Sequence, residues 1–105
     1  MNDNTQPVQR QDSPVGGRYV VELGDGLEAE MTYRRSNPGV ITIDHTFVPR
    51  SHRGKGLAEA LVNAGITDAR AEGTRIVPLC SYVAAQFDRH PDWADLLAHE
   101  PAQNS

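Results

Sequence analysis

A short basic, glycine-rich segment is the part of the chain whose residue types point most directly to chemistry. Arg50, Arg53 and Lys55 place three positive charges within six residues. Gly54 and Gly56 allow the backbone to adopt positive φ and to approach a ligand closely. A helix is predicted to begin directly after the segment, and the amides of a helix's first turn bind anions. We therefore expect a phosphate or diphosphate site here; a charged, flexible strand–helix loop is the alternative.

Cys80 and His45 form a second set of candidate residues. Cys80 lies between a predicted strand and a predicted helix, where the positive end of the helix dipole favours a thiolate. His45 lies on the neighbouring predicted strand. The pair could support acyl transfer through a covalent intermediate, or His45 could accept a proton from an attacking amine. A small buried thiol and a strand histidine without catalytic roles are the alternatives. The spacing of cysteine and histidine does not match a zinc site, so we expect no metal.

The pattern of the chain predicts the elements that position these residues. Alternating and β-branched residues predict strands at 19–23, 27–35 and 40–48, separated by turns at Asp25-Gly26 and Asn37-Pro38-Gly39. From residue 57 to 72 the period changes to that of a helix, followed by a short strand at 76–79 and a helix at 82–89. One face of the first helix carries the apolar and small residues Leu57, Ala58, Leu61, Val62, Gly65, Ile66 and Ala69. The order β-β-β-α-β-α predicts an α/β (α+β) fold. Its third and fourth strands are parallel, and helices pack on the mixed sheet.

Length and composition restrict the class of protein. The 105 residues allow one domain, which we place at 18–97 between a disordered N-terminal tail, 1–17, and a flexible C-terminal tail, 98–105. The net charge of −4 argues against a general nucleic-acid binder. No apolar run is long enough to span a membrane, no secretory signal is visible, and a single cysteine excludes an internal disulfide. We expect a cytoplasmic protein that contacts neither nucleic acid nor membrane.

At the basic segment the chain resembles a known family. Arg53-Gly54-Lys55-Gly56, between the strand and Leu57-Ala58, resembles the acyl-CoA motif Q/R-x-x-G-x-G/A of the GNAT N-acetyltransferase superfamily. Ser51 stands at the first position of that motif, which is a departure from it. Three further segments resemble a short, single-domain subfamily: His45-Thr46, Pro78-Leu79-Cys80-Ser81-Tyr82 and His90-Pro91-Asp92-Trp93.

The resemblance implies acetyl-CoA as the cofactor and assigns residues to it. The backbone amides of Arg53, Gly54, Lys55, Gly56, Leu57 and Ala58 would hold the diphosphate. Thr46, Phe47 and Val48 would pair with the pantetheine arm where two parallel strands diverge, and Ser81 would also contact the cofactor. Cys80 and His45 would lie beside the acyl group.

The resemblance also implies a function and two departures from the family. The implied function is transfer of an acetyl group to an unknown small-molecule or peptide amine, possibly through Cys80. Many family members use a tyrosine on the last helix as an acid, but its place falls at Phe87 or Asp88. Elements that shape the acceptor pocket are also missing. The alternative is therefore a non-catalytic module that binds CoA or acetyl-CoA, and we expect a monomer or a weak homodimer.

Overall fold

The computed structural model describes residues 7–98, which form one mixed sheet with helices on one side. The strands and helices are β1 (Gln9–Ser13), β2 (Gly16–Gly24), β3 (Leu27–Asn37), β4 (Val40–Phe47), α1 (Leu57–Glu72), β5 (Arg75–Pro78) and α2 (Ser81–Arg89). Short 3₁₀ turns span Arg50–His52 and Pro91–Leu96. Within these residues no helix is both long and apolar enough to cross a membrane.

The sheet has the strand order β1-β2-β3-β4-β5, and it is antiparallel except for the parallel pair β4 and β5. Both predicted hairpins form. Asp25, Gly26 and Gly39 have positive φ of 56°, 77° and 74° at the two turns, as tight connections between antiparallel strands require. Helix α1 connects β4 to the parallel β5. The predicted mixed α+β fold is confirmed, with element boundaries shifted by one to three residues.

The core lies between one face of the sheet and the two helices. Tyr19, Met31 and Ile43 on this face are at most 2% exposed. The predicted stripe of α1 is confirmed, because its buried residues are Leu61, Val62, Gly65, Ile66 and Ala69. A Cβ at Gly65 would lie 3.0 Å from the terminal carbon of Met31, so glycine there allows the helix to approach β3 closely. Trp93 closes the far end of the core, with its ring edge-on to Phe87 at 5.4 Å.

The prediction of a disordered tail over residues 1–17 is wrong for residues 9–13, which form β1, and for residues 16 and 17, which begin β2. This strand pairs antiparallel with β2, from Gln9 opposite Val20 to Ser13 opposite Gly16. The side chains of β1 are polar and largely exposed, so the strand has no alternating apolar pattern from which it could be predicted. Backbone pairing with an existing sheet supplies the stability that hydrophobic burial does not. Residues 1–6 and 99–105, which include most of the predicted C-terminal tail, lie outside the described residues.

Arg10 ties β1 to α1 across the sheet. Its guanidinium carbon lies 5.3 Å and 5.5 Å from the ring centroids of Tyr19 and Tyr33, in cation–π geometry. The same group donates hydrogen bonds to the Tyr33 hydroxyl at 3.0 Å and to the carboxylates of Asp68 and Glu72 at 3.2 Å and 2.5 Å. One side chain thus joins the edge strand to a neighbouring strand and to the helix.

Replacing Arg10 with alanine is expected to lower the free energy of unfolding by about 2 kcal/mol, since several hydrogen bonds and two cation–π contacts are lost together. Urea denaturation monitored by circular dichroism measures the change. Arg34→Ala is the control, because the Arg34 side chain is 61% exposed and pairs, among residues 7–98, only with Asp44. Exposed ion pairs contribute about 0–1 kcal/mol. Equal losses in the two variants would show that Arg10 is an ordinary surface residue.

Candidate active site

The basic segment forms a folded loop between β4 and α1. A 3₁₀ turn, Arg50–His52, opens it, and Gly54 and Gly56 follow with φ of 85° and 78°. The Arg53 guanidinium donates a hydrogen bond to the backbone carbonyl of Val48 at 3.1 Å. Arg53 therefore holds the loop against the end of β4, a structural role in addition to its predicted contact with the cofactor.

The first turn of α1 presents backbone donors without carbonyl partners inside the helix. The intrahelical ladder begins with the amide of Ala60, which donates to Gly56 at 3.0 Å, so the amides of residues 57–59 precede it. Gly56 caps the helix without any side-chain hydrogen bond. These donors lie at the positive end of the helix dipole, which attracts an anion.

The space above this loop fits a diphosphate. A Cβ built on Gly54 or on Gly56 would meet no protein atom within 4 Å. Crowding by neighbouring side chains is therefore not the reason for glycine at these two positions. The positive φ favours glycine, and a ligand lying directly on the backbone would also require it. The donors, the dipole and the open surface together are suited to an anion such as a phosphate group.

A cleft of about 580 Å³ extends from the loop along α2. One wall is the end of β4, the loop and the start of α1, including Val48, Gly54, Gly56, Leu57 and Ala58; Arg53 also lines the cleft. The opposite wall is one face of α2, formed by Tyr82, Ala85, Gln86 and Arg89. The structure thus brings together six of the predicted cofactor-binding residues. Thr46, Phe47, Lys55 and Ser81 are outside the lining.

The pairing of β4 with β5 ends before β4 does, at the place where the resemblance implies that two parallel strands diverge. They pair only from Val40 to Ile43, where β5 ends at Pro78. The amides of Leu79 and Cys80 both donate to the Ile43 carbonyl at 3.0 Å before the chain turns into α2. Within the described residues, the end of β4 therefore has β3 on one side and no strand on the other. Such a gap can pair with an extended ligand.

Cys80 lies at the gap, at the N-cap of α2. Its sulfur is 3.5 Å from the Thr46 hydroxyl oxygen, and the residue is partly buried. The helix predicted at 82–89 begins one residue earlier, so Ser81 is its first residue and is exposed. Cys80 is therefore the nucleophilic side chain next to the diverging strands.

The predicted pair of Cys80 and His45 is not formed. Thr46 reaches Cys80 on the helix side of the sheet, and its neighbour His45 points to the opposite face because side chains alternate along a strand. There the His45 imidazole lies 3.9 Å from the carboxylate of Glu30 and is 55% exposed. The sequence predicted that the two residues lie on neighbouring strands, but it did not show that their side chains lie on opposite faces of the sheet.

The usual position of the family's acid holds no phenol. Phe87 is buried against Trp93, and Asp88, the next residue of the helix, is exposed. The phenol that does line the cleft belongs to Tyr82, whose pKa is raised by burial and then by the nearby Glu59 carboxylate. Sequence analysis did not assign Tyr82, Gln86 or Arg89 to the site. Their spacing of i, i+4 and i+7 was the signal that they share one helix face.

The model of a protein family described as GCN5-related N-acetyltransferase matches residues 18–96. The chain belongs to this family. Its fold also matches the solution structure of a GCN5-like candidate N-acetyltransferase from Staphylococcus aureus, with a TM-score of 0.72 over 97% of each chain. The two sequences are 20% identical, so this likeness establishes the shared fold. The GCN5-related family membership and this fold support an acyltransferase activity.

Proposed function

We propose that the protein binds acetyl-CoA and transfers its acetyl group to a primary amine. One observation carries this proposal: unpartnered amides at the glycine-rich start of α1 face a cleft that also reaches the end of β4. A diphosphate with a long, amide-containing arm matches an anion site joined to a diverging strand.

The residues present suit each part of coenzyme A. The amides of residues 53–58 hold the diphosphate, and the exposed Lys55 adds positive charge beside them. Thr46, Phe47 and Val48 pair with the pantetheine arm, and Ser81 lies at the start of α2 next to Cys80. The thioester then supplies an activated acetyl group at the gap between β4 and β5.

Cys80 accepts the acetyl group in the first step. Its thiolate attacks the thioester carbonyl carbon, a bond to Cys80 sulfur forms, and the bond to CoA sulfur breaks. The departing thiolate takes a proton, for which the Tyr82 phenol in the cleft is a donor. The amine nitrogen then attacks the acetyl carbon, which releases Cys80 and a proton. That proton passes to solvent, because the sheet separates the exposed His45 beside Glu30 from Cys80.

A second function, binding of CoA or acetyl-CoA without turnover, is favoured by one observation. Phe87 fills the position of the family's usual acid and packs into the core against Trp93, so no proton donor stands there. The two functions share the binding site and differ only in chemistry. A cytoplasmic location and an amine as the class of acceptor stay predictions from the sequence.

Two measurements on the whole chain test the proposal. Isothermal calorimetry with acetyl-CoA and with CoA tests binding, and a thiol-specific dye measures CoA release with a panel of primary amines. Binding together with amine-dependent release supports the transferase. Binding without release above the amine-free rate supports the binding module, and heat-silent titrations with both ligands would contradict both functions.

A further inference from the structure

A groove of about 330 Å³ lies at the end of the sheet where β2 turns into β3 and where β4 ends. Its lining consists of Gly26, Leu27, Glu28, Glu30, Phe47 and Pro49. Phe47 is directly opposite Glu30 in the register of β3 and β4, so their side chains share one face of the sheet. Ala29 and Met31, which alternate with the two glutamates, are buried in the core on the other face. The groove therefore opens on the face that carries no helix.

The groove and the cofactor cleft lie back to back at the end of β4. Val48 lines the cleft, whereas its neighbours Phe47 and Pro49 line the groove. Thr46, whose hydroxyl oxygen is 3.5 Å from the Cys80 sulfur, is the residue directly before Phe47. Within the described residues, no strand pairs with this end of β4 on the β5 side. An amine held in the groove can therefore approach the acyl group through the gap rather than across the hydrogen-bonded sheet.

Exposed apolar side chains flank this route. Leu27 and Phe47 are 38% and 45% exposed, and they are two of the four large hydrophobic residues that the described part of the chain leaves exposed. A third, Leu79, is 57% exposed and directly precedes Cys80 on the other side of the gap. Apolar surface in contact with water is unfavourable, and an alkyl chain lying on it removes part of that surface from water. The groove is therefore suited to an acceptor with an aliphatic body.

The charged side chains of the groove are both acidic. Arg18 Nη1 lies 2.8 Å from the Glu28 carboxylate and 3.0 Å from the Glu30 carboxylate, so one guanidinium is shared by two carboxylates. Among the described residues, no cationic side chain lines the groove. With the nearby His45 imidazole uncharged, one negative charge is left in excess, on side chains that are 40% and 28% exposed. This excess is complementary to one ammonium group.

We propose that this groove binds the acetyl acceptor and that the acceptor is an aliphatic diamine or polyamine. One ammonium group lies at Glu28 and Glu30, the methylene chain lies along Phe47, and the primary amine at the other end reaches the acyl group through the gap. The inference rests on the proposed acetyl transfer and names the class of its acceptor.

The spacing of the strands sets the length of the acceptor. Neighbouring strands are about 4.8 Å apart, so β3 lies roughly 10 Å from the line along which β5 would continue. A chain of several methylenes spans this separation. The chemistry is that of the proposed transfer. A bond forms between the amine nitrogen and the acetyl carbon, the bond from that carbon to Cys80 sulfur breaks, and the proton of the amine passes to solvent.

Steady-state kinetics with paired amines test the inference. The whole chain is supplied with saturating acetyl-CoA and with diaminooctane, octylamine, diaminopropane or propylamine, and a thiol-specific dye measures the release of CoA. The kcat/KM for diaminooctane is expected to exceed that for octylamine roughly tenfold, the effect of one additional charge-assisted hydrogen bond. The difference should lie in KM, since the second ammonium group only binds. Diaminopropane should have no such advantage over propylamine, because it is too short to span the separation.

Glu30→Gln tests the anchor, because Arg18 then neutralises Glu28 and no negative charge is left in excess. The ratio of kcat/KM between diaminooctane and octylamine should fall close to one. Asp95→Asn is the matched control and should keep the ratio, since Asp95 also pairs with an arginine, Arg70 at 2.7 Å, but lines neither the groove nor the cleft. Thermal unfolding shows whether each variant is folded. High salt provides a second measurement on the wild-type chain, where screening should reduce the ratio.

Three results would overturn the inference and leave acetyl transfer intact. These are equal kcat/KM values for diaminooctane and octylamine, a preference for diaminooctane that persists in folded Glu30→Gln and at high salt, and faster transfer to a lysine-containing peptide than to diaminooctane. Absence of CoA release with every amine would instead contradict the proposed transfer, and this inference with it.

Discussion

Alanine in place of Gly56 is expected to weaken acetyl-CoA binding roughly hundredfold, and Gly54→Ala should act in the same way. The added methyl group would meet no protein atom within 4 Å, so it would occupy the space over the loop where a diphosphate would lie. Displacing the diphosphate would cost at least two charge-assisted hydrogen bonds to backbone amides. Calorimetry, or the rise in unfolding temperature caused by acetyl-CoA, measures the loss.

The chain offers a matched control at Gly39, which turns the hairpin between β3 and β4. Its φ of 74° is close to the 78° of Gly56, and a methyl group there would also meet nothing within 4 Å. Gly39→Ala and Gly56→Ala should therefore cost similar stability, about 1–2 kcal/mol for a left-handed residue. Only Gly56→Ala should lose affinity. If the two variants bound acetyl-CoA equally well, the loop would not be the diphosphate site.

The second large effect is expected at Cys80. Incubation of the protein with acetyl-CoA should add the mass of one acetyl group, and Cys80→Ala should abolish this gain while CoA binding persists. The reason is geometric: Cys80 is the thiol at the gap between β4 and β5, in contact with Thr46. Intact-mass spectrometry provides the measurement, and amine-dependent release of CoA should fall at least hundredfold in the same variant, in line with the loss of a nucleophile.

His45→Ala is the informative companion variant. The sheet separates His45 from Cys80, so both the gain of the acetyl group and its transfer to an amine should proceed at close to the wild-type rates. Loss of self-acetylation in His45→Ala would contradict the arrangement described here. Full amine transfer by Cys80→Ala would show direct attack of the amine on the thioester, without an acetylated cysteine.

Local sequence patterns were sufficient for most elements of this fold. The turns at Gly26 and Gly39 and the helical stripe of α1 depend on residues close together in the chain, which periodicity and turn chemistry report. The parallel pairing of β4 with β5 joins residues far apart in the chain, and it was predicted from the general rule for strand–helix–strand connections. Strand β1 was missed for a physical reason. Its polar side chains carry no apolar pattern, and its stability comes from backbone pairing with β2 and from Arg10, whose partners Asp68 and Glu72 are far away in the chain.

Some features of the candidate site could likewise be predicted from the sequence, whereas others depend on the tertiary structure. The sequence alone was sufficient to predict the glycine-rich, basic loop between a strand and a helix, because its glycines, its positive charges and the following helix are contiguous in the chain. Only the tertiary structure decided which side chains meet there. It placed Cys80 beside Thr46, put His45 on the other face of the sheet, and turned Gln86 into the cleft. The physical reason is that these contacts depend on bulges, on strand register and on the rotation of α2, which long-range packing sets and no local pattern encodes.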